Sequence, residues 1–171
     1  GRVFKAEHSI LERPFAIKFL RETGANHEHF RKRFLREAKL ASQLSHENIV
    51  EVVGANDSEW GLYIVMEYVE STTLEAVVGD SPLEARLAAR YTLQVLQGLQ
   101  HAHEHGLLHR DVKAENVLVT TDGDCKLTDF GLVRMEEHDS GLTAQEAAIG
   151  TPVYMSPEQW SNVEVDRQTD V

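Results

Sequence analysis

The sequence predicts an α+β protein in which a strand-rich stretch of about 70 residues precedes a helix-rich one. Three observations carry this. Short apolar runs separated by polar turns fill the chain before Ser71, an apolar residue recurs every four positions from Leu83 to Leu99, and short strands with loops return after Gly106. At ~150 residues per domain, 171 residues make one domain or most of one. The balance of 17 basic against 28 acidic residues, net −11, argues against a nucleic-acid or anionic-membrane partner. A hydrophobic share of 42% with 26% charged residues is that of a globular chain, not a disordered one. The single cysteine, Cys125, rules out an internal disulfide framework and fits a reducing, cytoplasmic setting. No run approaches the ~18 apolar residues of a membrane span, and no signal peptide opens the chain.

In order, residues 1–6 and 14–20 read as strands joined by a polar turn. The second, Phe15-Ala16-Ile17-Lys18-Phe19-Leu20, is apolar except for one lysine. From Asn26 to Leu44 the period becomes helical, with Phe30, Phe34, Ala41 and Leu44 on one stripe. Residues 49–53 and 62–69 read as strands, with a turn over 57–61 between them. Ser81-Pro82-Leu83-Glu84 has the pattern of a capping box with proline at the first helical position. Leu83, Leu87, Tyr91, Val95 and Leu99 then form the buried stripe of a long helix closed by Gly106. Residues 117–119 and 126–128 flank an Asp122-Gly123 hairpin turn. Residues 130–158 form a long irregular stretch, a length that within a compact domain is usually functional. The boundary between the two parts is expected near Ser71, giving domains 1–70 and 71–171.

Two charged residues sit where apolar ones are expected. Glu37 lies seven positions after Phe30, within ~20° of it on a helical wheel, and so in the apolar stripe. A carboxylate there reaches water at the stripe's edge or needs a partner. Lys18 interrupts an apolar strand and needs one too, so the two are natural mates, and such a pair would hold the ammonium toward a phosphate. A second constellation is His109-Arg110-Asp111-Val112-Lys113-Ala114-Glu115-Asn116, followed by Asp129-Phe130-Gly131. Oxygen ligands at Asn116 and Asp129 suit Mg²⁺ shared with substrate phosphates. Asp111 could accept a proton from an attacking hydroxyl, and Lys113 could steady a transferring phosphate. His101 and His105 have the spacing of a helical metal pair but read more simply as the end of the long helix. His109 reads as a packed residue against Phe130, and Cys125 as a half-buried packing residue. The basic run Arg31, Lys32, Arg33 and Arg36 reads as a solvated helix face, or as a receiver for a phosphate from the 130–158 stretch.

Taken together, Ala16-Ile17-Lys18, Glu37, the 109–116 run, Asp129-Phe130-Gly131 and Gly150-Thr151-Pro152-Val153-Tyr154-Met155-Ser156-Pro157-Glu158 resemble the eukaryotic-type protein kinases, and most of all their bacterial serine/threonine branch. The order matches, and so do the gaps of 19 residues from Lys18 to Glu37 and 18 from Asp111 to Asp129. The resemblance implies a two-lobed fold, ATP and Mg²⁺ as cofactors, and transfer of the γ-phosphoryl group to Ser or Thr hydroxyls of a protein substrate. It implies that Lys18 holds the α/β-phosphates, that Glu37 pairs with Lys18 in the active state, that Asp111 is the base with Lys113 beside it, and that Asn116 and Asp129 bind the metal. Gly1 and Val3 resemble the end of a glycine-rich phosphate loop. Val3, Ala16 and Leu118 would sandwich the adenine, Met66 resembles the gatekeeper, and Glu67, Tyr68 and Val69 resemble the hinge. Thr151 would bond toward Asp111 and Lys113. A phosphate at Thr143, or next at Ser140, would order the loop on Arg110.

The chain also departs from the family's pattern. Ala114 and Ser156 stand where proline and alanine are usual. The first strand and two glycines of the phosphate loop would precede Gly1, and further large-lobe helices would follow Asp170, the expected start of a central helix. Glu158 would normally pair with an arginine further on. The expectation is a truncated kinase domain, inactive and prone to aggregate by itself. The alternative is a catalytically inactive nucleotide-binding or docking fragment. Whole proteins of this branch often carry a membrane span outside the kinase domain.

Overall fold

Four antiparallel strands in the order β1-β2-β4-β3 form the first sheet: β1 (Arg2–Glu7), β2 (Pro14–Phe19), β3 (Val52–Ser58) and β4 (Gly61–Glu67). The computed structural model describes residues 2–20, 27–130, 152–161 and 163–171. Gly1, Gly131, Ser140, Thr143 and Thr151, each given a role above, lie outside these residues. The strand expected over 49–53 begins only at Val52 and runs on to Ser58. The reversal is confined to Glu59 and Trp60, because the Ser58 hydroxyl spans it, donating to the Gly61 carbonyl and accepting from Trp60 N–H. Gly61 takes φ 101°, a conformation that favours glycine.

Helix α1 (His27–Ala41) lies against this sheet. Phe30, Phe34, Ala38 and Ala41 form its buried stripe, and Leu44 continues the core beyond it. Arg31 reaches across to Asp57 on β3 at 2.6 Å.

The chain leaves the first sheet after Glu67 and enters a second one at β5 (Ser71–Thr73), whose order is β5-β6-β7 with β6 (Val117–Thr120) and β7 (Cys125–Leu127). Between them lie the short α2 (Leu74–Val78) and the long α3 (Ala85–Glu104). Helix α3 starts later than the Ser81-Pro82 pattern suggests. The Glu84 carboxylate accepts from Leu87 N–H at 3.2 Å and is itself the cap, so residues 81–83 stay outside. The four-residue stripe is observed: Tyr91 and Leu99 are buried, and Leu83, Leu87 and Val95 pack against the core. Cys125 is fully, not half, buried, and burial pushes its thiol up to about 11. The last elements are a 3-10 turn (Pro152–Tyr154), the short α4 (Pro157–Trp160) with its Ser156–Gln159 capping box, and a second 3-10 turn (Arg167–Asp170).

A splice joins the two sheets. Residues 48–50 run beside β7, with Leu127 N–H on Asn48 O and Val50 N–H on Leu127 O, both at 2.8 Å. Gly98 of α3 presses on this splice: a Cβ there would stand 2.9 Å from Asn48 O and 3.0 Å from Leu127 Cδ1. Among the described residues, no helix is long and apolar enough to cross a membrane.

Candidate active site

Strand β2 buries Lys18 between Val3 on β1 and Ile64 on β4. Its ammonium is satisfied by Asp129, at 2.7 Å from Oδ1. Asp129 follows β7 by two residues and takes φ 66°, a left-handed conformation uncommon for a side-chain-bearing residue. The next residue turns inward: the Phe130 ring is buried 4.6 Å from the His109 ring. His109 is fully buried, donates through Nε2 to Thr128 O at 3.0 Å and accepts from Asp111 N–H at Nδ1. Burial pushes its pKa down, against the opposing pull of Asp170 and the Thr128 carbonyl, and both ring bonds suit the neutral form.

Asp111 is the best-held group of the loop. Its Oδ2 lies 2.9 Å from Lys113 Nζ and 2.8 Å from Asn116 Nδ2, which also donates to the Asp111 carbonyl. Asn116 is buried, and its carbonyl accepts from Thr128 N–H at 3.0 Å, next to Asp129. With both amide hydrogens given to Asp111, the Asn116 side-chain oxygen is the atom left for a cation. A cation there would have hard oxygen donors at Asn116 and Asp129, a fit to Mg²⁺.

From below, Asp170 holds the loop. One oxygen accepts from Arg110 N–H at 2.6 Å, and the other accepts from His109 N–H at 2.8 Å and lies 2.7 Å from His103 Nε2. Gln159 donates to the Arg110 carbonyl at 2.8 Å, where Arg110 sits at φ 64°. Neither anchor was found by sequence reasoning. Asp170 is 61 residues from His109 and Gln159 is 49 from Arg110, and no local pattern announces either. Glu158, expected to await an arginine, accepts instead from the Thr169 hydroxyl at 2.7 Å, which holds its carboxyl below the usual range.

The structure does not bring Lys18 and Glu37 together. Glu37 Oε1 lies 3.6 Å from an Arg110 nitrogen and 3.8 Å from Arg33 Nε, while Lys18 is taken by Asp129. The physical reason is a choice of cations: Glu37 is drawn to the arginines around it, and Asp129 is the carboxylate within reach of Lys18. Burial pushes the Glu37 carboxyl up, opposed by Arg110, Arg33 and Arg36. These groups line a cleft of about 480 Å³ with Lys32, Leu108 and His29. On the same strand as Lys18, Ala16 pairs with the buried Met66, and Glu67 ends β4. Val69 and Leu118 pack at the edge of the core, and Val3 is exposed. The His101 ring lies tilted against His105 at 4.4 Å and against His46 at 5.0 Å. Among the described residues, no group of three or more His, Cys, Asp or Glu could hold a metal.

Residues 1–171 match the protein kinase domain family. The chain belongs to the protein kinase family. It is 38% identical over 172 residues to serine/threonine-protein kinase PrkC of Bacillus subtilis, covering 100% of this chain and 26% of that protein. It is 37% identical over 176 residues to serine/threonine-protein kinase PknB of Mycobacterium leprae, covering 100% of this chain and 28% of that one. The solved PknI kinase domain of Mycobacterium tuberculosis superposes with a TM-score of 0.76 at 30% identity, over 98% of this chain and 61% of that one. The chain thus spans about a quarter of the curated kinases it matches. Its fold is that of the protein kinases, α+β, with a β-rich lobe and part of a helical one.

Proposed function

We propose that these residues form the catalytic machinery of a serine/threonine protein kinase divided near residue 70, transferring the γ-phosphoryl group of ATP to a protein hydroxyl. The observation that carries this reading is Asp111, whose carboxylate is held between Lys113 at 2.9 Å and Asn116 at 2.8 Å. A positioned carboxylate orients the acceptor hydroxyl and takes its proton, and Lys113 offers a fixed positive charge to the passing phosphoryl group. Lys18 serves the α/β-phosphates, while Met66, Glu67, Val69, Val3, Ala16 and Leu118 surround the adenine. Asn116 and Asp129 would hold Mg²⁺, which would supply positive charge against the phosphate oxygens.

In this arrangement Asp129 is occupied by Lys18 and Glu37 by Arg110, which is a resting state. A phosphate on Thr143 or Ser140 carries about −1.5 to −2 charges and would compete with Glu37 for Arg110, freeing the helix carboxylate for Lys18. The test of the reaction is radiolabelled ATP with a generic protein substrate, using the full-length protein and its Asp111→Asn variant. Turnover should fall ~10²–10⁴-fold while nucleotide affinity is kept. Equal turnover would remove Asp111 from the chemistry.

A further inference from the structure

Three ion pairs among the described residues join the first sheet or α1 to the second half of the chain. Two belong to the site above: Lys18–Asp129 and Glu37–Arg110. The third shares only Glu67 with that site. Lys126, in the middle of β7, places its ammonium 2.8 Å from Glu67 Oε1 and 3.4 Å from the Ile49 carbonyl. The same Glu67 oxygen accepts from Glu51 N–H at 3.0 Å, and Glu67 N–H returns a bond to Glu51 O at 3.0 Å. One carboxylate thus ties the end of β4 to β7 and to Glu51, the residue just after the splice. The pair lines a separate cleft of about 300 Å³ with Ser45, Glu47 and Glu51. Both side chains are partly shielded, at 22% and 30% exposure, so solvent only partly weakens the attraction.

The position gives this pair its meaning. Glu67 opens the 67–69 segment assigned to adenine, and Lys126 stands three residues before Asp129, assigned to the phosphate end. A three-residue extended segment is a short lever of about 10 Å. We infer that Lys126 and the Glu67 side chain form a positioning latch that sets the spacing between the two ends of the nucleotide site. The latch rests on the function proposed above. Lys126 touches no reacting atom, so its work is done on nucleotide affinity and not on the transfer step.

The test uses the full-length protein and a fluorescent ADP analogue beside the phosphorylation assay. Lys126→Met should raise the analogue's Kd and the KM for ATP by about 3–10-fold, with kcat within about twofold of wild type. Lys126→Arg, which keeps the charge, should restore affinity. Glu67→Gln should weaken binding in the same direction without adding to Lys126→Met. An unchanged Kd in a folded Lys126→Met protein overturns the latch, whether or not its thermal midpoint falls. So does a loss of kcat at unchanged Kd, or a failure of Lys126→Arg to rescue. A wild-type protein that binds the analogue but transfers no phosphate defeats the kinase reading while the Kd comparison still decides the latch. A wild type that binds no nucleotide defeats both.

Discussion

Asp111 and Glu37 are both carboxylates beside basic side chains, and the chain holds them by opposite means. Asp111 is gripped by hydrogen bonds of 2.8–2.9 Å from residues two and five positions away, on a loop whose backbone is pinned by Asp170 and Gln159. Glu37 stands on a helix, and its nearest cations are 3.6 and 3.8 Å away, one of them across the two halves of the molecule. Those separations exceed hydrogen-bond range and leave mainly Coulomb attraction. Under the proposed function, the group that would meet the substrate is tied by short local bonds, and the group that would change partners is held loosely by charge.

The comparison is broken most severely at Asp170. Its side chain is fully buried and satisfies two backbone N–H groups and His103. Asp170→Asn keeps the shape but replaces one acceptor oxygen by a donor that faces an N–H. Stability should drop by about 3–5 kcal/mol, the cost of unpairing a buried charged group. Urea unfolding of the full-length protein measures this, and a loss below about 1 kcal/mol would mean that loop 109–116 is held by something else.

A smaller break lies at the splice between the two sheets. Gly98→Ala drives a Cβ to 2.9 Å from the Asn48 carbonyl, a backbone atom that cannot rotate away and that already accepts from Leu127 N–H. Overpacking of this kind costs about 1–3 kcal/mol. The strain falls on β7, so nucleotide affinity should weaken with stability, and a neutral substitution would show the splice to be soft.

Acid sharpens the contrast further. Burial lowers the pKa of His109, so the unfolded chain takes up protons below about 6.5 that the folded chain resists. His101 is shifted the same way by burial and by its two neighbouring histidines. Stability contributed by the neutral rings is present above about 6.5 and lost as pH falls, so the thermal midpoint should decline from pH 7 to 5.5. A flat or rising midpoint would mean that these rings do not resist protonation.

Much of this was legible in the residues because the signals are local. The α1 stripe followed from Phe30, Phe34 and Ala41, and the α3 stripe from its four-residue repeat. The start of α3 was missed because Ser81 and Glu84 are both capping residues, and only the fold shows that the Glu84 side chain reaches Leu87 N–H. Glu37 was recognisable as an anomaly from its place on the wheel. Its partner was not, since the sequence offers Lys18, Arg33 and Arg110 as cations and does not say which is nearest. Asp170 was noted only as the expected start of a central helix, and its bonds and those of Lys126 were not legible for a related reason: they close over about 60 residues, beyond any periodicity.

The smallest effect on stability, and the sharpest test of the contrast, is at Glu37 itself. Its carboxylate loses hydration by burial and recovers part of that loss from three arginines. Removing the charge with Glu37→Gln gives up the attraction and the desolvation cost together, so stability should change by less than about 1 kcal/mol. The pH dependence gives the sign. Burial raises the folded pKa above the unfolded one, so the folded chain binds the extra proton. Wild-type stability should therefore decline relative to Glu37→Gln as pH rises through the carboxylate range, the reverse of the histidine effect. Activity should respond differently. If catalysis requires Glu37 to leave Arg110 for Lys18, then Glu37→Gln and Lys18→Met remove one shared interaction, and their effects on turnover should be strongly non-additive. Multiplying effects on turnover, or a stability loss as large as that at Asp170, would show Glu37 to be a fixed structural tie and would erase the difference between the two carboxylates.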